Sequence, residues 1–286
     1  MLFDSHAHLN NADMTGEDRA LMVAQIEASI EAGMLDHVMD IGFDPASSEM
    51  AVQHAQKYPW CNAAVGCHPH DAKIMDEEQL ERIRTLAAEP KARAIGEIGL
   101  DFHYDLSDRD VQREWFRRQI RLSNELKMPI CIHAREADQE VMDILIEEGA
   151  FSEERRSWFP KRPDPTGFCK GREGGLTGDA RVLLHCFSGS AELGKQYVRM
   201  GATLSIAGPV TYKNNKKTVS VVREIPIDFL LVETDSPYLS PVPMRGKPNT
   251  PPNVEYTARK VAEIKEMTFE EVAAKTNENA MRFYGI

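Results

Sequence analysis

Short apolar runs alternate with longer amphipathic segments eight times along the sequence, and this alternation limits the possible folds more than any other feature. The runs predict strands at 1–4, 37–41, 62–66, 92–98, 129–133, 182–186, 202–206 and 229–233. The segments predict helices at 17–32, 47–57, 77–88, 108–127, 139–148, 191–200, 216–223 and 253–266, with a final helix at 268–284. Strands that each precede a helix are typical of an α/β protein with a parallel sheet. We therefore expect a (β/α)8 TIM barrel, for which 286 residues are sufficient.

One segment interrupts this rhythm, because about thirty residues separate the fifth helix from the sixth strand, where about two to six are usual. A helix-to-strand connection lies on the face of a barrel opposite the active site. We interpret 1–286 as a single barrel domain with an insertion at about 149–179. The insertion is either a surface segment that the fold tolerates or a docking surface for a partner or second subunit, and deletion of 152–177 is expected to leave turnover largely intact. Its basic residues are Arg155, Arg156, Lys161, Arg162, Lys170 and Arg172.

The composition is that of a globular protein with a substantial core, with 42% hydrophobic and 28% charged residues. The net charge of −11 argues against sequence-independent binding to duplex nucleic acid, which requires a basic surface. The five cysteines are an odd number and have no metal-finger spacing. They argue against a disulfide framework and indicate a reducing compartment. No apolar run is long enough to span a membrane, and no basic-then-apolar leader is visible, so we expect a cytoplasmic protein.

Polar side chains with metal-binding chemistry follow the predicted strands at their carboxyl ends, where barrel enzymes carry their catalytic groups. His6 and His8 are two positions apart, which places both imidazoles on one face of an extended chain. Glu97 lies in the apolar fourth strand, where an ionised carboxylate requires a metal or a cationic partner. Three further strands end in groups of this kind, at His133, His185 and Asp235.

These six residues offer nitrogen and oxygen ligands without thiolates, a set that suits a pair of divalent cations. Each histidine taken alone has an equally good structural explanation, so the prediction depends on their convergence at one rim. Because Glu97 is on the central strand of the set, we predict that it bridges the two ions. We assign His6, His8 and Asp235 to one ion, and His133 with His185 to the other. Strand alternation predicts that Cys186 faces away from His185 and packs in the core.

Six phrases of the sequence, in this order, resemble those of the TatD-type metal-dependent hydrolases. They are Asp4-Ser5-His6-Ala7-His8, Gly66-Cys67-His68-Pro69-His70, Gly96-Glu97-Ile98-Gly99-Leu100-Asp101, Pro129-Ile130-Cys131-Ile132-His133-Ala134-Arg135, His185-Cys186-Phe187-Ser188-Gly189 and Glu233-Thr234-Asp235-Ser236-Pro237-Tyr238-Leu239. The resemblance extends to the helix that contains Asn279 and Ala280. The insertion at 149–179 departs from the compact family pattern, which leaves oligomerisation open; we expect a monomer.

The resemblance implies a barrel of the metallo-dependent hydrolase type in which the six chosen residues hold the metal. It also implies a metal-dependent deoxyribonuclease, in several members a 3′–5′ exonuclease that acts on single-stranded ends. For His68 it implies contact with the scissile phosphate or proton donation to the leaving oxygen; the alternative is that His68 or His70 is purely structural.

Two metal ions can activate water and hold both the attacking and the leaving oxygen of a phosphodiester. In this hypothesis Glu97 lies beside the attacking hydroxide, and Asp235 is a ligand and proton acceptor. Glu233 either orients a ligand or water or is a structural carboxylate. Four basic residues are expected on the rim, where they either form a small phosphate-binding patch or are merely solvated: Arg135, Lys213, Arg245 and Lys247. Tyr212 and Tyr238 either stack on an unpaired base or pack in the core.

Two other functions stay open from the sequence. One is a metal-dependent amidohydrolase or deaminase acting on a small molecule, and the other is a metal-binding scaffold without turnover. Many amidohydrolases use a carboxylated lysine as the bridge, so Glu97 favours the phosphoesterase by analogy. Four histidines favour bound Zn or Mn, whereas the resemblance implies turnover with Mg or Mn. We expect single-stranded DNA ends as substrate, without stable duplex binding and without a membrane partner.

Overall fold

The computed structural model describes residues 1–169 and 175–286, and its main feature is an eight-stranded parallel sheet that forms a nearly closed barrel. The strands are β1 (Leu2–Ala7), β2 (Leu35–Ile41), β3 (Cys61–Val65), β4 (Ala92–Asp101), β5 (Ile130–Arg135), β6 (Arg162–Pro163), β7 (Leu176–Thr177), β8 (Val182–Leu184), β9 (Ala202–Ile206) and β10 (Leu230–Val232). The order around the barrel is β1-β2-β3-β4-β5-β8-β9-β10, and β6 and β7 form a separate antiparallel pair. The predicted (β/α)8 barrel is confirmed.

Helices alternate with the barrel strands on the outside. They are α1 (Gly16–Glu31), α2 (Pro45–Lys57), α3 (Glu77–Ala87), α4 (Arg109–Leu126), α5 (Asp138–Glu147), α6 (Glu153–Ser157), α7 (Ala191–Met200), α8 (Lys216–Glu224), α9 (Val254–Lys265) and α10 (Phe269–Tyr284). Thr268 and Glu271 form a capping box that begins α10. No helix in the described ranges is both long and apolar enough to cross a bilayer.

The first and last barrel strands meet at a seam built from polar contacts. Asp4 accepts hydrogen bonds from the amide of Thr234 at 2.8 Å and from its hydroxyl at 2.6 Å. Farther along, the amide of Asp235 donates to the carbonyl of His6 at 2.9 Å, and the amide of His8 donates to Ser236 at 2.8 Å. The seam therefore brings the two ends of the sequence together beside His6, His8 and Asp235.

Inward-facing side chains from seven of the eight barrel strands fill the interior: Phe3, Met39, Ala64, Ala94, Cys131, Leu183 and Leu231. Phe283 and Tyr284 of α10 join this cluster, and the Tyr284 hydroxyl donates to the carbonyl of Ser5 at 2.9 Å. The final helix thus closes one end of the barrel. His133, His185 and Glu233 follow interior residues by two positions, so strand alternation directs them inward toward the other end.

Several strand boundaries differ from the predictions, and three of these differences lie close to the site residues. β1 continues to Ala7 and β4 to Asp101, whereas the sixth barrel strand, β8, ends at Leu184. The pairing of β1 shifts register between Asp4 and Ala7, and that of β4 with β5 shifts between Ile95 and Ile98. Such irregularities change the direction of a side chain. They occur beside His6 and Glu97, the two residues that stand at the centre of the site described below.

The insertion begins with α6 and continues through the β6–β7 pair; Lys170 and Arg172 lie outside the described residues. Arg155 is fully buried and donates to the carbonyls of Ala180 and Met128, both at 2.8 Å. Arg162 is also fully buried and donates to the carbonyls of Ala202 at 2.7 Å and Val198 at 2.9 Å. These carbonyls precede or begin strands, so the insertion lies at the predicted face, opposite the site.

The segment also contributes buried contacts to the barrel. Its two buried guanidinium groups satisfy backbone carbonyls under the barrel, and buried carbonyls without a donor are costly. Deletion of 152–177 would remove both arginines and lower stability; the expectation that it leaves turnover largely intact stays a prediction.

We predict that Arg162→Met lowers the free energy of unfolding by about 3 kcal/mol, since it leaves the carbonyls of Val198 and Ala202 without their charged donor. Thermal or urea unfolding measures this change. Lys161→Met is the matched control, because Lys161 is exposed and adjacent. Equal stability of the two variants would contradict the structural role of Arg162.

Candidate active site

The six residues chosen from the sequence lie together at the carboxyl ends of the barrel strands. Glu97 is 3% exposed and stands at their centre. Its two carboxylate oxygens face different groups of histidines: Oε2 faces His6 and His8, whereas Oε1 faces His133 and His185. The close approach of β4 to β5 requires glycine beside Glu97, because a Cβ on Gly99 would collide with the carbonyl of His133.

The first group consists of His6, His8, Asp235 and one oxygen of Glu97. The Nε2 atoms of His6 and His8 are 3.2 Å apart. Glu97 Oε2 lies 3.3 Å from His6 Nε2 and 3.6 Å from His8 Nε2, and Asp235 Oδ1 lies 3.7 and 3.5 Å from the same two atoms. Atoms that bind one ion at about 2.0–2.2 Å are themselves about 3–3.6 Å apart. The first group therefore has the spacing of a ligand set.

The second group consists of His133, His185 and the other oxygen of Glu97. Glu97 Oε1 lies 2.9 Å from His133 Nδ1 and 2.8 Å from His185 Nε2. The two imidazole nitrogens are 3.4 Å apart. The structure thus brings the six residues together around Glu97, and their assignment to two ions stays a prediction.

A second contact on each imidazole orients the ring. His8 donates from Nδ1 to the carbonyl of Ile41 at 2.8 Å, which leaves Nε2 free to accept or to bind a metal. His185 Nδ1 lies 3.2 Å from Glu233, and His6 Nδ1 lies 3.4 Å from the Cys131 thiol. Metal-binding histidines are ordinarily held in this manner by their other ring nitrogen. Glu233 thus orients His185.

His133 is oriented by Asp101, a residue that we did not select from the sequence. Asp101 Oδ2 is 3.1 Å from His133 Nε2 and 2.8 Å from His70 Nε2. The other oxygen of Asp101 accepts from the amides of His103 and Tyr104 at 3.0 and 2.9 Å. The sequence does contain a signal for Asp101, since this residue ends the motif that includes Glu97. The strand predicted at 92–98 stops three residues before it.

The charges of the site require a positive partner for its two central carboxylates. Burial alone would raise the pKa of Glu97, but the imidazoles of His185, His68 and His6 hold this pKa well below its ordinary value. Burial likewise opposes ionisation of Asp235, whereas the hydrogen bond with His8 and neighbouring histidines lower its pKa. Imidazoles that bind a metal are neutral, so a divalent cation would replace the charge that protonated histidines otherwise supply. The donor set therefore fits metal ions.

His68 lies beside the second group, with Nε2 3.6 Å from Glu97 Oε1. Its Nδ1 accepts a hydrogen bond from the amide of His70 at 3.1 Å. Burial and the neighbouring charge of His133 hold the pKa of His68 well below its usual value. A neutral imidazole that accepts at Nδ1 carries its proton on Nε2. His68 therefore presents an N–H donor to the site.

Cys186 does not fit the expected strand alternation. β8 ends at Leu184, and Cys186 has a left-handed backbone with a φ of 42°. Burial and then the charges of Glu233, Asp235 and Glu97 raise the pKa of its thiol. Strand alternation therefore does not apply at Cys186, and the expectation that its half-buried thiol faces away from His185 stays a prediction.

The basic residues proposed for substrate contact lie farther out and stack on tyrosines. The guanidinium of Arg135 lies 4.5 Å from the ring centroid of Tyr104, and that of Arg245 lies 4.4 Å from that of Tyr212. Tyr238 is 52% exposed, and its ring centroid is 6.3 Å from that of His8. Of the three tyrosines, Tyr238 therefore lies directly beside the metal-binding residues.

A parallel barrel whose carboxyl rim carries histidines around a shared carboxylate has the architecture of the metal-dependent hydrolases. The family model "TatD related DNase" matches residues 3–285. The chain belongs to the TatD family and is a metal-dependent hydrolase.

Relatives agree with this assignment over the whole chain. An uncharacterized metal-dependent hydrolase, YabD of Bacillus subtilis, is 43% identical over 286 residues, 100% of both chains. A relative from Cronobacter turicensis named 3′-5′ ssDNA/RNA exonuclease TatD is 30% identical over 99% of this chain and 97% of its own. Among solved structures, the TatD homologue YJJV from Escherichia coli has a TM-score of 0.81 at 20% identity, covering 100% of this chain and 98% of its own.

We predict that Asp101→Asn weakens divalent-metal binding about 10–100-fold, because the ring of His133 loses its charged anchor. Titration with Mn²⁺ or Zn²⁺ under calorimetry measures the affinity. Asp105→Asn is the control, because Asp105 follows in the same loop but pairs with Arg109. If both variants bind metal as the wild type does, Asp101 does not orient the ligand.

Proposed function

We propose that this protein is a metal-dependent deoxyribonuclease that removes nucleotides from single-stranded DNA ends, working from 3′ to 5′. The observation that supports phosphodiester hydrolysis most strongly is the division of Glu97, whose two oxygens face separate ligand groups. The name of the Cronobacter relative supports a nucleic-acid substrate and the direction of cleavage.

In the proposal, His6, His8 and Asp235 would hold one divalent cation, His133 and His185 would hold the second, and Glu97 would be shared between the two. When bound, such a pair supplies an activated water and stabilises negative charge on the phosphate oxygens. The cations are Mg or Mn during turnover, and Zn is an alternative bound ion.

The chain's own residues contribute positioning and proton transfer. Glu97 and Asp235 are ionised acceptors at the centre of the site, and Asp235 is placed to take a proton from the attacking water. His68 carries its proton on Nε2 and donates a hydrogen bond to the oxygen that leaves the phosphate, which stabilises the negative charge developing there. Glu233 and Asp101 keep His185 and His133 oriented while these groups act.

A substrate panel tests the reaction class. Protein supplied with Mg, Mn or Zn is incubated with end-labelled single-stranded DNA and RNA, bis(p-nitrophenyl) phosphate, and a set of amides and lactones. We expect metal-dependent shortening of DNA from its 3′ end and cleavage of the phosphodiester dye. Hydrolysis of the amides or lactones alone would replace the nuclease with the amidohydrolase alternative.

We predict that Glu97→Ala and Asp235→Asn abolish metal-dependent cleavage of a 3′-ended single-stranded oligonucleotide without unfolding the barrel. Glu97 is shared by both groups, so its loss should also reduce the metal content from about two ions per chain. Elemental analysis and thermal unfolding accompany the assay. Undiminished cleavage by either folded variant would refute the site.

We predict that His68→Gln reduces kcat on DNA by about 10²–10³-fold, because the leaving alkoxide loses a hydrogen-bond donor that stabilises its negative charge. The loss should be much smaller on bis(p-nitrophenyl) phosphate, whose nitrophenolate delocalises its charge and depends less on such a donor. His103→Gln is the control, since His103 is exposed on the same rim and pairs with Glu136. An equal loss on both substrates would instead assign His68 to phosphate binding.

A further inference from the structure

A cavity lined by polar side chains lies on the rim, and none of its lining residues is a proposed metal ligand. It has a volume of about 420 Å³ and is lined by Tyr212, Lys213, Asn214, Asn215 and Arg245. This volume is within the range of about 300–1,000 Å³ that is usual for small-ligand pockets. Its lining residues come from the segments after β9 and β10, the region of a barrel that often binds phosphate.

Acidic neighbours do not neutralise the cations around this cavity. In the described part of the chain, Lys213, Arg245 and nearby Lys247 have no carboxylate within 4.0 Å. By contrast, Arg113 and Arg117 on α4 each pair with acidic residues. In a protein with a net charge of −11, three cations without such partners create a local site for a polyanion.

Hydrogen bonds connect the two chain segments that line the cavity. The Tyr212 hydroxyl donates to the carbonyl of Ser240 at 2.9 Å, and the amide of Val242 donates to the Thr211 hydroxyl at 2.8 Å. Tyr238, two residues before Ser240, lies beside His8. The segment that borders the cavity therefore leads through Tyr238 to the first ligand group, whereas His68 lies beside the second.

We infer that this cavity binds the backbone phosphates of a single-stranded polynucleotide beyond the scissile phosphate. The inference rests on the proposed nuclease function and specifies its substrate contacts. Lys213 and Arg245 neutralise phosphates, and Tyr238 offers an exposed ring between the cavity and the site on which a base stacks. Because an exonuclease releases one terminal nucleotide, phosphates in the cavity belong to the retained strand.

The test compares Lys213→Ala/Arg245→Ala with Lys57→Ala/Lys161→Ala. The second pair removes the same charge from exposed positions on the opposite face: Lys57 ends α2, and Lys161 lies in the insertion. Steady-state kinetics with DNA and RNA 8-mers and with dinucleotides separate the cavity from the scissile centre. Thermal unfolding verifies that all variants are folded.

For Lys213→Ala/Arg245→Ala, we expect the ratio of kcat/KM for an 8-mer to that for a dinucleotide to fall about ten-fold. The slope of log KM against log salt should decrease by about 1.4, or about 0.7 for each lost phosphate contact on a single strand. The control pair should keep the wild-type ratio. Equal losses with 8-mer and dinucleotide, an unchanged ratio, or the same loss in the control pair would each overturn the inference. A loss restricted to DNA or RNA identifies which polymer the cavity accepts.

Fluorescence anisotropy separates failure of the inference from failure of the proposed function. If wild-type protein cleaves no oligonucleotide, the nuclease proposal fails, and binding of a labelled 8-mer then decides the role of the cavity. Weaker binding by Lys213→Ala/Arg245→Ala than by the control pair supports the cavity as a polynucleotide site. Equal binding by the two pairs contradicts it.

Discussion

The contact of one buried carboxylate, Glu97, with histidines on both sides is the interaction on which the site depends. Each oxygen of Glu97 has its own set of imidazole nitrogens at 2.8–3.6 Å. The arrangement requires β4 to approach β5 closely, the register shift before Ile98, and a seam that holds His6 against Asp235. The contacts that shape the barrel are therefore also the contacts that position the side chains of the site.

An outer layer of contacts turns a cluster of histidines into a defined donor set. Ile41, Asp101 and Glu233 each occupy one nitrogen of an imidazole, so the other nitrogen is directed inward. His68 has the reverse arrangement, since a backbone amide occupies Nδ1 and leaves a proton on Nε2. The outer contact of each imidazole thus decides whether its inward nitrogen presents a lone pair or an N–H group to the site.

The sequence predicted the barrel and the six central residues because hydrophobic periodicity and strand ends are local patterns. It did not predict Asp101 as the partner of His133, since that contact depends on where β4 ends and on a pairing between separate strands. It also did not predict that Arg155 and Arg162 are buried, because nothing local distinguishes a guanidinium buried under the barrel from one that is solvated. The strand predicted to include Cys186 is too long for a related reason: β8 ends earlier than its apolar run suggests.

The seam and the final helix also determine when the barrel can form during synthesis. Asp4 bonds to Thr234, and the carbonyl of Ser5 accepts from Tyr284, so the first strand obtains these partners only from the last quarter of the chain. Contacts of such long sequence separation form slowly and leave unpaired strand edges exposed until they do. A nascent chain therefore carries an open sheet edge until Thr234 and Tyr284 have been synthesised and can cover it.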